Sequence, residues 1–254
     1  VNLGLYISAS GTLNALYRMD VAANNLANSE TAGFKPDLTA TMARASAREE
    51  DGVTNLPSNA LLERLGGGVL GAPNRIRWSQ GALETTRNDL DVALEGEGFL
   101  RVRSTDGAFT GLTRDGRLTL NSASQLVQAS TGLLVASDAG DPITLRGGLP
   151  VAINAEGELS QGGATVARLG VVRTDNPDRL TKRGAGILEA PQGTTLTSAT
   201  ARVVQRSIER SGTDAVRSML DISAAERAAG SGTRMIQMHD EVMGRAIGTF
   251  ARLA

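Results

Sequence analysis

Residues Ala22 to Pro36 read AANNLANSETAGFKP, and three asparagines, Asn24, Asn25 and Asn28, fall where an apolar-periodic segment is ending. Asn is a poor residue for a helix interior because its amide competes for backbone hydrogen bonds. Whatever precedes and follows this stretch has to explain three of them.

Upstream, Leu5, Ala9, Thr12, Leu16, Met19, Ala23 and Leu26 recur at spacings of 4 and 3, a seven-residue repeat that predicts a helix with one apolar seam. Ala and Thr make the seam thin, and one helix of this length cannot bury it alone. A matching segment lies at the far end of the chain. Ile222, Ala225, Ala229, Gly232, Ile236, His239, Met243, Ala246 and Phe250 repeat the same spacing, and no proline occurs from Asp214 to Ala254. Ser211 or Thr213 is the expected cap, with Asp214 complementing the helix dipole. The two ends are natural partners, small residues at Ala225, Ala229 and Gly232 allowing close approach. Gly230, Gly232, Gly244 and Gly248 each cost about 1 kcal/mol against Ala, so the pair is expected to be marginal in a monomer.

Between the ends the period changes. From about Gly81 to Ala201 come short runs such as LDVAL (90 to 94), FLRVR (99 to 103), RLTLN (117 to 121) and LPVAIN (149 to 154), separated by turn signals including Glu95-Gly96-Glu97-Gly98, Asp106-Gly107 and Gly162-Gly163. Short strands with Gly and Asp turns predict an antiparallel all-β domain. The expected fold class is therefore α+β: an N-terminal helix in 1–36, an extended connector in 37–80, a β-rich domain in 81–205 and a C-terminal helix in 206–254, the helices packing in a coiled-coil-like layer.

Composition excludes several functions. With 26 basic and 27 acidic residues and a net charge of −1, no field draws the chain to nucleic acid. Cysteine is absent, removing disulfides, thiolate metal sites and Cys nucleophiles together. No apolar run approaches the ~20 residues that span a bilayer, and the first twenty residues lack the layout of a Sec signal peptide. The hexamer from Gly66 to Gly71 formally matches G-x-G-x-x-G, but neither the strand before it nor the helix after it is present in the pattern. Asp89 and Asp91 read as hydrogen-bonding anchors, and Glu95 and Glu97 as turn residues. His239, the only histidine, sits on the C-terminal seam, where a packed or interface role fits better than metal binding or a triad. No catalytic, cofactor or metal site is expected. Two thin seams on one chain imply assembly with copies of itself or with relatives.

AANNLANSETAGFK resembles the N-terminal signature of the bacterial flagellar rod and hook proteins, close to A-N-N-L-A-N-x-x-T-x-G-F-K, with Ala23, Asn24, Asn25, Leu26, Ala27, Asn28, Thr31, Gly33, Phe34 and Lys35 matching every fixed position. A second series, Gly81 to Thr85, Leu90 to Phe99 and Thr113-Arg114-Asp115-Gly116, is similar to the family's motifs at the start of the β-domain. The C-terminal stretch Glu209-Arg210-Ser211-Gly212-Thr213-Asp214 departs from the usual E-x-S-N-V pattern, which bears on where the last helix starts. The resemblance implies a rod subunit, most like the proximal-rod members, with distal-rod or hook subunits as the alternative. It further implies partners among copies of itself and other rod proteins, export through the flagellar type III apparatus, no membrane insertion, and a place in the rod crossing the periplasm. On this reading the asparagines stand where an inner-tube helix ends and the chain turns outward at Gly33, making hydrogen bonds to neighbouring subunits. The expected assembly surface is Leu16, Met19, Ala23 to Leu26, Asn28, Gly33 and Phe34 from the N-terminal part, with Ile222, Ala229, Ile236, His239, Met243 and Phe250 from the C-terminal helix. Before assembly the seams are expected to be disordered or molten, which suits passage through a narrow channel.

Overall fold

The computed structural model describes residues 3–45 and 67–250, with the side chains of Leu3 and Phe250 excepted. The chain is α+β: a first helix, α1 (Leu3–Ala27), a last helix, α2 (Ala215–Phe250), and antiparallel β-structure between them. It divides into two compact units. One gathers the described parts of 1–27, 37–75 and 214–254, and the other comprises 28–36 and 76–213.

In the first unit α1 and α2 pack side by side in antiparallel sense. A Cβ added at Gly4 would come within 2.5 Å of His239 Nε2, and one at Gly232 within 2.2 Å of Thr12 Oγ1. Asp214 caps α2, its Oδ1 accepting from the Arg217 N–H at 3.1 Å, so the expected caps at Ser211 or Thr213 are displaced by the acidic residue next in line. Residues 37–80, expected to be an extended connector, contain two strands: β1 (Asp37–Ala43) and β2 (Val69–Ile76) pair with each other. Just beyond the strands the Arg44 N–H donates to Gly68 O at 3.0 Å and the Gly67 N–H to Arg44 O at 3.3 Å, so both glycines are tied to the chain leaving β1; Gly66 is outside the described residues.

In the second unit the strand Phe99–Arg103 is central. It pairs with Thr110–Thr113, Leu134–Val135 and Val171–Thr174 within one nine-stranded sheet. Side chains alternate across a strand. Leu100 and Val102 therefore enter a core with Val92, Leu118, Leu126 and Ile143, while Phe99 enters a second with Leu112, Val172, Leu180 and Leu188. Trp78 closes the second core with an edge-on contact to Phe99, ring centroids 5.7 Å apart. The run ARLGVVR, which reads as one strand, is split between Ala164–Arg168 and Val171–Thr174.

Candidate assembly interface

The α2 seam is where the periodicity places it. Ala225 is buried, and Ile222, Ala229, Gly232, Ile236, His239 and Ala246 are half-buried, while Met243 is more open and the Phe250 side chain lies outside the described residues. His239 Nδ1 lies 2.9 Å from Met235 O, one turn back, which turns Nε2 toward Gly4. This is a packed seam histidine.

The α1 seam is rotated from the expected one. Ala15 and Ala22 are buried and Gly4 and Ser8 face α2, while Leu16 is 40% exposed and Ala23 is exposed; Thr12, Met19 and Leu26 are half-buried and belong to both descriptions. The expectation took leucine as the marker of the buried face. In fact α1 meets α2 at Gly4, Ser8 and Thr12, opposite His239 and Gly232, because the smallest side chains let two backbones come closest. Bulky groups are displaced outward: Tyr6, Leu13, Leu16 and Tyr17 on α1, and Val216, Met219, Leu220, Met235, Met238, Val242 and Ile247 on α2, are all exposed. Scattered exposed apolar residues are ordinary, but contiguous helical stripes mark association surfaces.

The asparagines divide their work. Asn25 Nδ2 donates to Asp37 O at 2.8 Å and its Oδ1 accepts from Asp37 N at 2.9 Å, a two-way clasp between the last turn of α1 and the first residue of β1. Asn28 closes the turn after the helix: its carbonyl accepts from Thr31 N and its Oδ1 from Thr31 Oγ1, each at 3.2 Å. Both amides thus have partners inside the chain, in addition to any bonds to neighbouring subunits. Asn24 is exposed on the helix. Gly33 does not end the helix, which stops at Ala27. It has φ of 66°, its N–H donates to Glu209 O at 2.7 Å, and a Cβ there would fall 2.4 Å from the Arg114 carbonyl carbon.

Around Gly33 the second unit carries a buried ionic cluster. Glu209, 1% exposed, receives Lys35 Nζ on Oε1 at 2.5 Å and Arg114 Nη1 on Oε2 at 3.1 Å, and Oε1 also accepts the Gly81 N–H at 2.9 Å. Lys35 Nζ also donates to Ser79 O, and Arg114 Nη2 to Gly96 O at 2.6 Å. Phe34 is buried beneath Lys182, whose Nζ lies 4.3 Å from the ring centroid. Burial pulls the Lys35 ammonium below its ordinary value despite Glu209, because Arg114 already shares that carboxylate and Arg77 adds further repulsion; Arg114 is lowered for the same first reason. Lys35, Arg114 and Glu209 come from three motif stretches far apart in the chain. Gly33 and Phe34, expected at the assembly surface, are buried beside this cluster. The carboxylates Asp89 and Asp91 serve structure: Asp91 accepts from Thr86 Oγ1 and Asn88 Nδ2, and Asp89 pairs with Arg206.

Comparison with known proteins bears on this arrangement directly. Residues 5–35 match the model of the flagella basal body rod protein, and residues 93–174 that of the flagellar hook protein FlgE/F/G D1 domain. The flagellar basal-body rod protein FlgF of Caulobacter vibrioides is 31% identical over 247 residues, 96% of either chain. The chain belongs to the flagellar rod and hook protein family. Escherichia coli FlgF is likewise 31% identical, over 94% of this chain and 93% of that one, and the rod protein FlgG of Bacillus subtilis is 27% identical over 94% and 96%. Like the rest of this family, the chain is a structural protein and not an enzyme. The first family match covers nearly all of α1 and the turn through Lys35; the second covers the central strand and part of each of its cores.

Proposed function

We propose that this chain is a subunit of the flagellar basal-body rod, of the proximal-rod kind, which polymerises helically with copies of itself and other rod proteins to carry torque from motor to hook. One observation carries the reading furthest. The helix pair is satisfied along its small-residue seam and still presents bulky apolar stripes outward on both helices. A head-to-tail contact that does not close into a ring buries such stripes by repetition and yields a tube. The near full-length likeness to rod proteins named FlgF in Caulobacter and Escherichia supports the proximal assignment. The assembly surface belongs to the helices: Leu16, Met19, Ala23, Asn24 and Leu26 on α1 and the α2 stripe beyond Ile236.

Location in the rod across the periplasm and delivery by the flagellar type III apparatus belong to the same reading. No described helix is long and apolar enough to cross a membrane. The test is deletion of the gene in its host, followed by electron microscopy of purified basal bodies and a swimming assay. Non-motile cells with rods cut short near the inner membrane are the expected result. Rods missing only their outer part would move the chain to the distal rod, and normal rods and swimming would overturn the proposal.

A further inference from the structure

Both helices lie in the first, helical unit, and the second is the β-unit. Residues 28–36 follow α1 directly and belong to the β-unit, yet residues 37–75 of the helical unit separate them from its next stretch. Non-covalent contacts therefore hold this short segment to the rest of the β-unit. Ala32 to Pro36 are all buried. Along them the Gly33 N–H donates to Glu209 O at 2.7 Å, Phe34 O accepts from the Gly212 N–H at 2.9 Å, and Pro36 O accepts from the Arg77 N–H at 2.9 Å. Lys35 Nζ adds bonds to Glu209 Oε1 at 2.5 Å and to Ser79 O at 3.0 Å. Two stretches, 77–79 and 209–212, thus grip the segment from Gly33 to Pro36.

Arg77 ties those two stretches to each other. Its Nη2 donates to Gly212 O, and a Cβ on Gly212 would come within 3.1 Å of Pro36 Cδ, so the three backbones are drawn close at this point. A segment held by one neighbour can be pulled off one bond at a time, whereas one held by two neighbours that are themselves joined must break its bonds together. We infer that residues 33–36 are a strap that passes force between α1 and the β-unit, and that the Arg77 guanidinium is the brace that keeps the strap closed. This rests on the rod reading, in which each subunit carries torque, and adds to it the place where force enters the β-unit. Such a brace acts on the rate of forced opening more than on the folding equilibrium.

The test uses full-length variants expressed in the deletion strain. Purified basal bodies carrying wild type, Arg77→Ala or Arg77→Lys are driven through a narrow needle, and intact rods are counted by electron microscopy before and after. Leu126→Val, a change in the β-core that removes none of these bonds, is the control, and the urea midpoint of each purified chain is read from Trp78 fluorescence. Rods of Arg77→Ala are expected to form but to survive shear several-fold less often than wild type. Arg77→Lys, which restores a donor on a long stem, should recover part of the loss, and Leu126→Val rods should survive as wild type does although the midpoint is lowered. Equal survival of Arg77→Ala and wild type, or losses that follow the urea midpoint alike in Arg77→Ala and Leu126→Val, would overturn the inference and leave the rod reading standing. So would a folded Arg77→Ala chain missing from the rods, since the bond would then serve assembly. Wild-type chain absent from purified basal bodies overturns the rod reading and this inference with it.

Discussion

The β-unit and the helical unit are built from similar residues in opposite ways. In the β-unit, leucines and valines such as Leu100, Leu126 and Leu159 are wholly buried, and the Lys35–Glu209–Arg114 cluster is sealed inside. In the helical unit Gly4, Ser8, Thr12 and Gly232 lie where α1 and α2 meet, while Leu13, Leu16, Tyr6, Tyr17, Met238 and Val242 are exposed. The first region is complete as a single molecule. The second reserves its largest apolar side chains for surfaces that only other molecules can cover, and this is what separates a folding core from an assembly core.

The strongest challenge to that contrast is aimed at Glu209. Glu209→Ala leaves Lys35 and Arg114 buried without their carboxylate, and removing one partner of such a pair costs about 3–5 kcal/mol. Urea unfolding followed by Trp78 fluorescence, which reports the β-unit, should show this loss; a change below about 1 kcal/mol would mean that the cluster contributes little to the fold. Next in size is a matched pair of truncations. Leu126→Ala in the β-core should cost about 2–5 kcal/mol and lower the same transition. Leu13→Ala, at a side chain 68% exposed, should leave monomer stability within about 0.5 kcal/mol and impair rod assembly and swimming. Equal destabilisation by the two would erase the distinction between the units.

The β-unit was largely legible because its code is local. Alternation in FLRVR and glycines at turns need no knowledge of distant residues. The α2 seam was legible for the same reason. The α1 seam was misplaced by about one residue because periodicity finds an apolar stripe without saying which of two adjacent stripes is buried, and Leu16 outweighed Ala15. The pairing of β1 with β2 was hidden because both strands are mostly exposed and of mixed polarity. The ionic cluster was missed because no pattern in sequence relates Lys35 to Arg114 and Glu209. The one available signal was that all three lie in or beside the stretches carrying the family resemblance, where charges flank glycines at positions fixed by close backbone approach. The partners of the asparagines were not legible because an amide at a helix end has many possible partners, and Asp37, which Asn25 clasps, lies twelve residues away.

Glycines on α2 sharpen the contrast on a smaller scale. Gly244 has open space around its Cα, so Gly244→Ala should stabilise the helix by about 0.5–1 kcal/mol through propensity alone. At Gly232 a Cβ meets Thr12 Oγ1 and lies 3.4 Å from the Ser8 carbonyl oxygen, so Gly232→Ala should gain nothing or lose stability despite the same intrinsic preference. Thermal melts of the helical circular dichroism signal compare the two. If both variants gain equally, α1 and α2 do not approach as closely as the seam requires.

The subtlest test concerns pH. Burial, followed by Arg114 and Arg77, lowers the Lys35 pKa below its ordinary 10.5, with Glu209 opposing. Between the lowered folded value and 10.5 the unfolded chain binds more protons than the folded one, so stability from this group rises with pH across that window and is lost as pH falls through the folded value. Lys35→Met removes the proton site but keeps much of the volume. The stability difference, wild type minus Lys35→Met, should therefore climb as pH rises from below the lowered folded value toward 10.5 in β-unit unfolding measurements. A difference that stays flat up to 10.5 and falls above it would mean that Glu209 outweighs desolvation, and that the β-unit holds Lys35 as a strongly stabilised ammonium.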